Sequence, residues 1–561
     1  MHMKSVFLLG MVIVISCTSP SAKRHVDHLI TNATIYDGTG GAPYKGSLGW
    51  NGDSIVYIGD GVGVEAKETM DIQGKALTPG FVNMLSWSPE SLIQDGRSMS
   101  EIKQGVTLEV FGEGNSMGPI NETMRKEALS TMGEHPFEIN WHSLGEYLTF
   151  LETKGVSPNF ASFLGAANPR VYMLGYANRA PNAHELDSMK LLVRQAMEDG
   201  AMGIGSALIY APGTYAKTDE LVELCKVASS YGGMYISHMR SEGNAIFEAL
   251  KELFTISREA NLPAEIYHLK ISGKDNWQYQ SKLEHVIDSA QKAGLKITAD
   301  MYNYTAGSTG LDAAMPTWCQ EGGYTAWAQR LKDPLMRKRI IHEMETQTNA
   351  GWENMYKMAG PDNMLTVGYY NKNLRKYVGK TIAQIAKERG KTAPETILDL
   401  VIEDSSRVGM VYFLMSEDNV KRNIALSYVS FCSDAQSMPN EGWWLENSTH
   451  PRAFGSFARL LGKYVRDEKV IPMQEAIRKL TSLPCSNLKI KDRGLLKQGY
   501  KADLVVFDPA TIQDHATYEK PHQYATGVEH VFINGIQVIK NGEHTGAMPG
   551  KAVRGPGWKG K

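Results

Sequence analysis

The sequence predicts an α/β protein: a (β/α)8 TIM-like barrel over residues 79–485, joined to a small β-sandwich built from both termini. Three observations predict it. Strand and helix patterns alternate through the long middle of the chain, the signature of a parallel sheet. Short, glycine-punctuated strands fill both ends. The stretch 233–270 reads strand, helix, strand, and each strand closes on a histidine.

That stretch organises the rest. Gly233 to His238 and Pro263 to Lys270 are short apolar runs, and Ala245 to Ile256 has apolar positions at helical spacing. His238 and His268 are 30 residues apart, about one βαβ repeat. Such a unit makes neighbouring parallel strands, so both imidazoles emerge at the same C-terminal edge of the sheet. Either histidine alone reads as a satisfied strand-end residue. The matched pair has the geometry of a metal site.

In chain order, residues 1–16 read as a signal peptide of the lipoprotein type. Lys4 supplies a positive start, and Val6 to Ile15 is apolar but too short to span a bilayer. Val14-Ile15-Ser16-Cys17 resembles a bacterial lipobox, which implies cleavage before Cys17 and lipidation of its thiol. The alternative is an ordinary signal peptide cut slightly downstream. Either way the protein is expected to be exported, in the periplasm or membrane-anchored through Cys17 alone. Residues 17–26 read as a tether. Residues 27–78 form the first part of the sandwich, with weak alternation over Asp27–Gly40 and a strand at Ser54–Gly59.

Within the barrel, Phe81–Met84, Val106–Phe111, Leu295–Tyr302 and Tyr428–Cys432 read as strands, and 184–198 and 218–230 as amphipathic helices. Residues 311–365, rich in Trp, Met and charge, interrupt the rhythm and read as a flap inserted over the barrel mouth. Residues 486–561 complete the sandwich, with a strand at Ala502–Asp508 and a hairpin over His530–Ile539 turning at Asn534-Gly535.

Composition bounds the function. Of 561 residues, 42% are hydrophobic and 21% charged, enough to bury a sizeable core. The 59 basic and 61 acidic residues nearly cancel, and no basic run stands out, so no nucleic-acid partner is expected. The five cysteines are odd in number, widely spaced and without a C-x-x-C pair, which argues against a disulfide framework or a zinc knuckle. Cys225 sits on the apolar side of a helix and reads as core. No strand is followed by a G-x-G-x-x-G or P-loop pattern, so a nucleotide site has no support.

At this point the chain resembles the amidohydrolase superfamily, in its D-aminoacylase (N-acyl-D-amino-acid deacylase) branch. The resemblance covers nearly all of the mature chain. It rests on the stretches Ala207–Gly213, Ser237–Glu242, His268–Lys270, Thr298–Thr309, Ser433-Asp434, His450–Phe457 and Gly499–Phe507. It implies a barrel of the metal-dependent hydrolase type, with zinc on His238 and His268 and with Asp434 as general base. It also implies Lys270, Tyr302, Ser308 and Arg452, with Tyr210 nearby, as the groups that hold the substrate's free carboxylate.

The pattern breaks in two places. The H-x-H that most amidohydrolases carry after the first barrel strand is here Leu85-Ser86-Trp87, so a second metal position is expected to be missing. The branch's cysteine ligand after the second strand is also missing. Glu113 is the ionisable residue of that segment and the expected third ligand to one zinc per chain, with Ser116 and Glu109 as weaker alternatives. Adjacent strand residues point to opposite faces, so Glu113 needs a bulge or turn at Gly112. The expected activity is removal of the acyl group from N-acyl-D-amino acids. The alternatives are a dipeptidase or cyclic-amide hydrolase, or a non-catalytic ligand-binding lipoprotein.

Overall fold

The computed structural model describes residues 24–132, 134–348 and 351–560. The expected signal peptide, Cys17 and most of the tether lie outside the described residues. Arg24 to Val26, read as the end of the tether, belong instead to a strand, Arg24–Ile35. No helix among the described residues is long and apolar enough to cross a membrane.

Eight parallel strands carry the centre of the chain: β1 (Phe81–Asn83), β2 (Val106–Phe111), β3 (Asn159–Ser162), β4 (Gly203–Ala207), β5 (Met234–His238), β6 (Ala264–Ile266), β7 (Ile297–Met301) and β8 (Val429–Phe431). They form two parallel sheets, β1-β2-β3 and β8-β7-β6-β5-β4, the latter continued by Leu164–Gly165. Backbone bonds join the sheets at both seams. On one side Met202 N, just before β4, donates to Ser162 O at the end of β3 at 2.9 Å. On the other side Met84 N donates to Phe431 O at 3.3 Å, and Ser86 bridges Ala435 in parallel.

Helices pack outside the strands because their apolar residues recur on one face. Between β5 and β6, α1 (Ile246–Glu259) buries Ile246, Ala249, Leu250, Leu253 and Phe254, the three- and four-residue spacing of a helix stripe. Burying each large side chain contributes roughly 1.5–3 kcal/mol. The expected helix over 218–230 is present as Thr218–Ser230, with Cys225 fully buried on its inner face.

Both ends of the chain meet in one nine-stranded sheet. Ala76–Pro79 lies between Leu504–Phe507 and Arg24–Ile35, and the Val528–Ile533/Ile536–Lys540 hairpin extends it. Arg24–Ile35 pairs antiparallel with Tyr44–Asn51, as short glycine-punctuated strands commonly do. It also pairs in parallel with both Val64–Asp71 and Ala76–Pro79. Strands Tyr44–Asn51 and Val64–Asp71 lack clean alternation, since a run of glycines and charged residues hides it.

Between β7 and β8 the rhythm is broken by an antiparallel sheet of Ala306–Gly310, Gly409–Phe413 and Met364–Gly368, with helices packed on it. The interruption therefore extends on both sides of 311–365.

Candidate metal centre and active site

The strand ends converge on one cavity of about 550 Å3. His238 ends β5 and is buried. His268 lies two residues past β6, with its backbone in the left-handed region at φ 37° and its N–H donating to Asp300 Oδ1 at 2.8 Å. This turn aims the ring back toward β5, and the two imidazole centroids lie 4.4 Å apart.

Glu113 reaches the same point from β2. The strand ends at Phe111, and Gly112 then adopts φ 105°. A side chain there would meet Phe163 O at 2.4 Å, so only glycine fits. The turn removes the objection from strand pleating. Glu113 Oε1 lies 3.1 Å from His238 Nδ1 and 2.8 Å from His268 Nε2. The two alternatives are engaged elsewhere. Glu109 accepts from Ser98 and Ser86 in the core, and the Ser116 hydroxyl donates to Gly118 O.

One carboxylate oxygen and two imidazole nitrogens thus lie within 4.8 Å of one another, all buried. That donor set fits a metal ion bound through three protein ligands. His238 turns Nδ1 to Glu113, and its other ring nitrogen, Nε2, is buried 3.9 Å from Glu242 Oε2 without a hydrogen bond among the described residues. Burial would raise the Glu113 carboxyl, but the two histidines hold it well below the usual carboxylate range. Burial and Lys270 push His268 down, and the carboxylates of Glu242 and Glu113 more than reverse this, to about 10.

Glu242 is not singled out by the sequence pattern, although it stands four residues after His238 in the stretch Ser237–Glu242. Its Oε1 lies 2.9 Å from His268 Nδ1. That contact leaves Nε2 facing Glu113, the arrangement by which an outer carboxylate orients a ligating imidazole. Lys270 Nζ donates to Glu242 Oε1 at 2.6 Å and to His268 O at 3.0 Å, and lies 2.8 Å from His268 Nδ1.

Asp434 follows β8 with φ 49° and faces the cavity. Its Oδ1 accepts from the Trp87 indole N–H at 3.0 Å, and its Oδ2 lies 2.7 Å from Arg452 Nη1. Burial pushes this carboxyl up, against the pull of Arg452 and His268. Arg452 is buried, and its Nε and Nη1 hydrogens make no well-aligned hydrogen bond. Its Nη2 donates to Ser308 O at 3.2 Å, and its backbone N–H donates to Nδ1 of the buried His450. Tyr302 lies beneath both cations, 4.6 Å from the Arg452 guanidinium and 5.5 Å from Lys270 Nζ. The Ser308 hydroxyl donates to Met410 O at 2.8 Å, so only its backbone serves the cation. Tyr210 packs 5.2 Å from the His238 ring. The inserted segment contributes Met355, Tyr370, Arg407 and Tyr412 to the wall.

The geometry has counterparts of known function. The model of the amidohydrolase family matches residues 429–539. The D-aminoacylase of Alcaligenes xylosoxydans xylosoxydans is 30% identical over 95% of this chain and 99% of its own length. The N-acyl-D-glutamate deacylase of the same organism is 28% identical over 95% and 97%. Among solved structures, a D-aminoacylase studied for its binuclear metal centre superposes with a TM-score of 0.79 at 29% identity, over 94% of this chain and 100% of that one. The N-acyl-D-glutamate deacylase of Bordetella bronchiseptica, complexed with zinc and a phosphonate inhibitor, superposes at 0.78 with 27% identity, over 95% and 100%. With near-complete coverage of both chains and a metal-ligand cluster at the strand ends, this chain belongs to the amidohydrolase family, in its D-aminoacylase branch.

Proposed function

We propose that the protein removes the acyl group from N-acyl-D-amino acids, with one zinc ion held by Glu113, His238 and His268. The observation that carries this reading is the joint presence, in one cavity, of a three-donor metal cluster, a carboxylate and an unsaturated guanidinium. Bound there, zinc supplies a Lewis acid that polarises the scissile carbonyl and acidifies water.

The chain's own groups do the rest. The Arg452 guanidinium, turning from Asp434, grips the substrate's carboxylate, and Tyr302 and the Lys270 charge border the same corner. Tyr210 walls the pocket beside His238. Asp434 takes a proton from the attacking water as the new C–O bond forms. It returns that proton to the amine nitrogen as the C–N bond breaks, releasing a carboxylic acid and a free D-amino acid. Relatives named for D-amino acids, N-acyl-D-aspartate and N-acyl-D-glutamate support both the handedness and the free carboxylate. Leu85 and Trp87 offer no metal ligand, which supports a single zinc even when the ion is in excess.

We read the two seam-joined parallel sheets as one closed barrel at 79–485, the terminal sheet as a sandwich over 27–78 and 486–561, and the insertion as a flap over the mouth. We also read residues 1–16 as an export signal and Cys17 as the lipid anchor. Labelling with a radioactive fatty acid, lost in Cys17→Ser, checks the last point.

The deciding experiment is a screen of zinc-loaded protein against paired D and L N-acetyl amino acids, with a hydantoin as control. Turnover confined to D members is expected. Hydrolysis of the hydantoin alone, or of no N-acyl-D-amino acid, would overturn the reading.

A further inference from the structure

We propose that Trp87 is a positioning residue for the reaction, its indole N–H holding the Asp434 carboxylate at the angle from which it meets the attacking water. The inference rests on the reading of Asp434 as the proton acceptor. Four observations carry it.

The first is the bond itself, Trp87 Nε1 to Asp434 Oδ1 at 3.0 Å, between residues 347 positions apart. The second is how firmly both ends are tied to one place. Trp87 N donates to Ala435 O at 2.9 Å, Asp434 N donates to Leu85 O at 2.9 Å, and Ser86 N donates to Val110 O at 2.8 Å. The indole thus reaches Asp434 from an adjacent, hydrogen-bonded strand end and needs no flexible arm.

The third is the other partner of the carboxylate. Arg452 Nη1 is close to Oδ2, yet it makes no aligned hydrogen bond there, and its N–H groups are the ones a substrate carboxylate would draw away. Once substrate is bound, the indole is the directional bond left on Asp434. An indole N–H is a donor and never an acceptor. It keeps its place whether Oδ2 is bare or carries the proton, and it cannot take that proton.

The fourth is exposure. The Trp87 ring lines the cavity with 38% of the residue's surface open, so core packing does not account for its place. The strain at Asp434 adds the need. A non-glycine residue at φ 49° is held there by its surroundings, and the indole N–H is one of the groups that fix the carboxylate it carries.

The test compares Trp87→Phe, Trp87→Leu and Asp434→Asn in the zinc-loaded full chain, on an N-acetyl-D-amino acid the wild type turns over. For Trp87→Phe, kcat should fall about tenfold or more, with KM within about twofold and zinc content unchanged. Trp87→Leu should lose kcat equally and also raise KM, since the ring wall goes too. In the Asp434→Asn background, Trp87→Phe should cost less than about twofold, because the amide that replaces the carboxylate cannot take the proton however it is held. If Trp87→Phe keeps kcat within twofold while Asp434→Asn is inactive, the positioning role is wrong and the reading of Asp434 stands. A change in KM alone would make Trp87 a wall of the pocket and likewise overturn the proposal. Full turnover by Asp434→Asn would remove both. Should the phenylalanine variant fail to fold or lose zinc, replacing Trp87 with 3-benzothienylalanine removes the N–H and keeps the ring shape. The same fall in kcat is expected, and wild-type kcat there refutes the idea.

Discussion

Arg452 is buried at the cavity, with Nη1 paired to Asp434 Oδ2 at 2.7 Å and its Nε hydrogen left without a partner, an expensive state for a guanidinium unless a ligand completes it. Replacing it with alanine should raise KM about 10- to 100-fold, measured on any accepted N-acyl-D-amino acid, while the zinc content holds. An unchanged KM would take the carboxylate clamp elsewhere. Glu113 is tested by metal content. Glu113→Ala should drop bound zinc from about one per chain to a small fraction, by atomic emission of dialysed protein. At this scale the sequence was legible where chemistry is sparse. His238, His268 and Asp434 stand at the ends of readable strands, and the structure brings them to one cavity with Glu113. Glu242, and the contact of Trp87 with Asp434, are not legible in the sequence for a physical reason. A glutamate inside a loop and a tryptophan after a strand are ordinary there, and their value lies in partners 26 and 347 residues away.

The elements decide where those side chains point. Gly112 converts a strand that would turn Glu113 away into one that presents it. Gly112→Ala should clash with Phe163 O and strain a φ of 105°, so zinc content is expected to fall as in Glu113→Ala although every ligand survives. Helix α1 supports the histidine strands from behind. Leu250→Ala on its buried face should cost about 2–5 kcal/mol in denaturant unfolding. The insertion is tied to the centre by Glu353, whose carboxylate accepts the Glu242 N–H at 2.9 Å. Burial and the nearby Glu242 raise its carboxyl from 4.5 to about 7. The folded state then holds a proton that the unfolded state releases, so this group's contribution to stability falls as pH rises from 4.5 to about 7 and is level outside that window. The difference in unfolding midpoint between wild type and Glu353→Gln, followed against pH, should slope downward only there. Strands such as Val106–Phe111 and Ser54–Gly59 were readable to the residue because their patterns are continuous. The parallel pairing of Arg24–Ile35 was not, since a single strand's pattern says nothing of its neighbour's direction.

For the molecule as a whole, zinc should act as a staple between β2, β5 and the end of β6. Ions that bind only the folded state stabilise it by mass action, so chelation should lower the thermal midpoint by several degrees and zinc should restore it. Loss of activity with an unmoved midpoint would separate the metal from folding. The alternation of strand and helix made the parallel core legible at this scale. The extent of the insertion was not, because its antiparallel strands look in sequence like more of the same rhythm. The terminal sheet has a consequence for how the protein is made. Ala76–Pro79 has Leu504–Phe507 as a neighbour, and Trp50 donates its indole N–H to Gly535 O. Ala76–Pro79 therefore waits, unpaired along one edge, until Leu504–Phe507 has left the ribosome. Closure of that edge is thus a late event of synthesis, set by the length of the intervening segment 80–503.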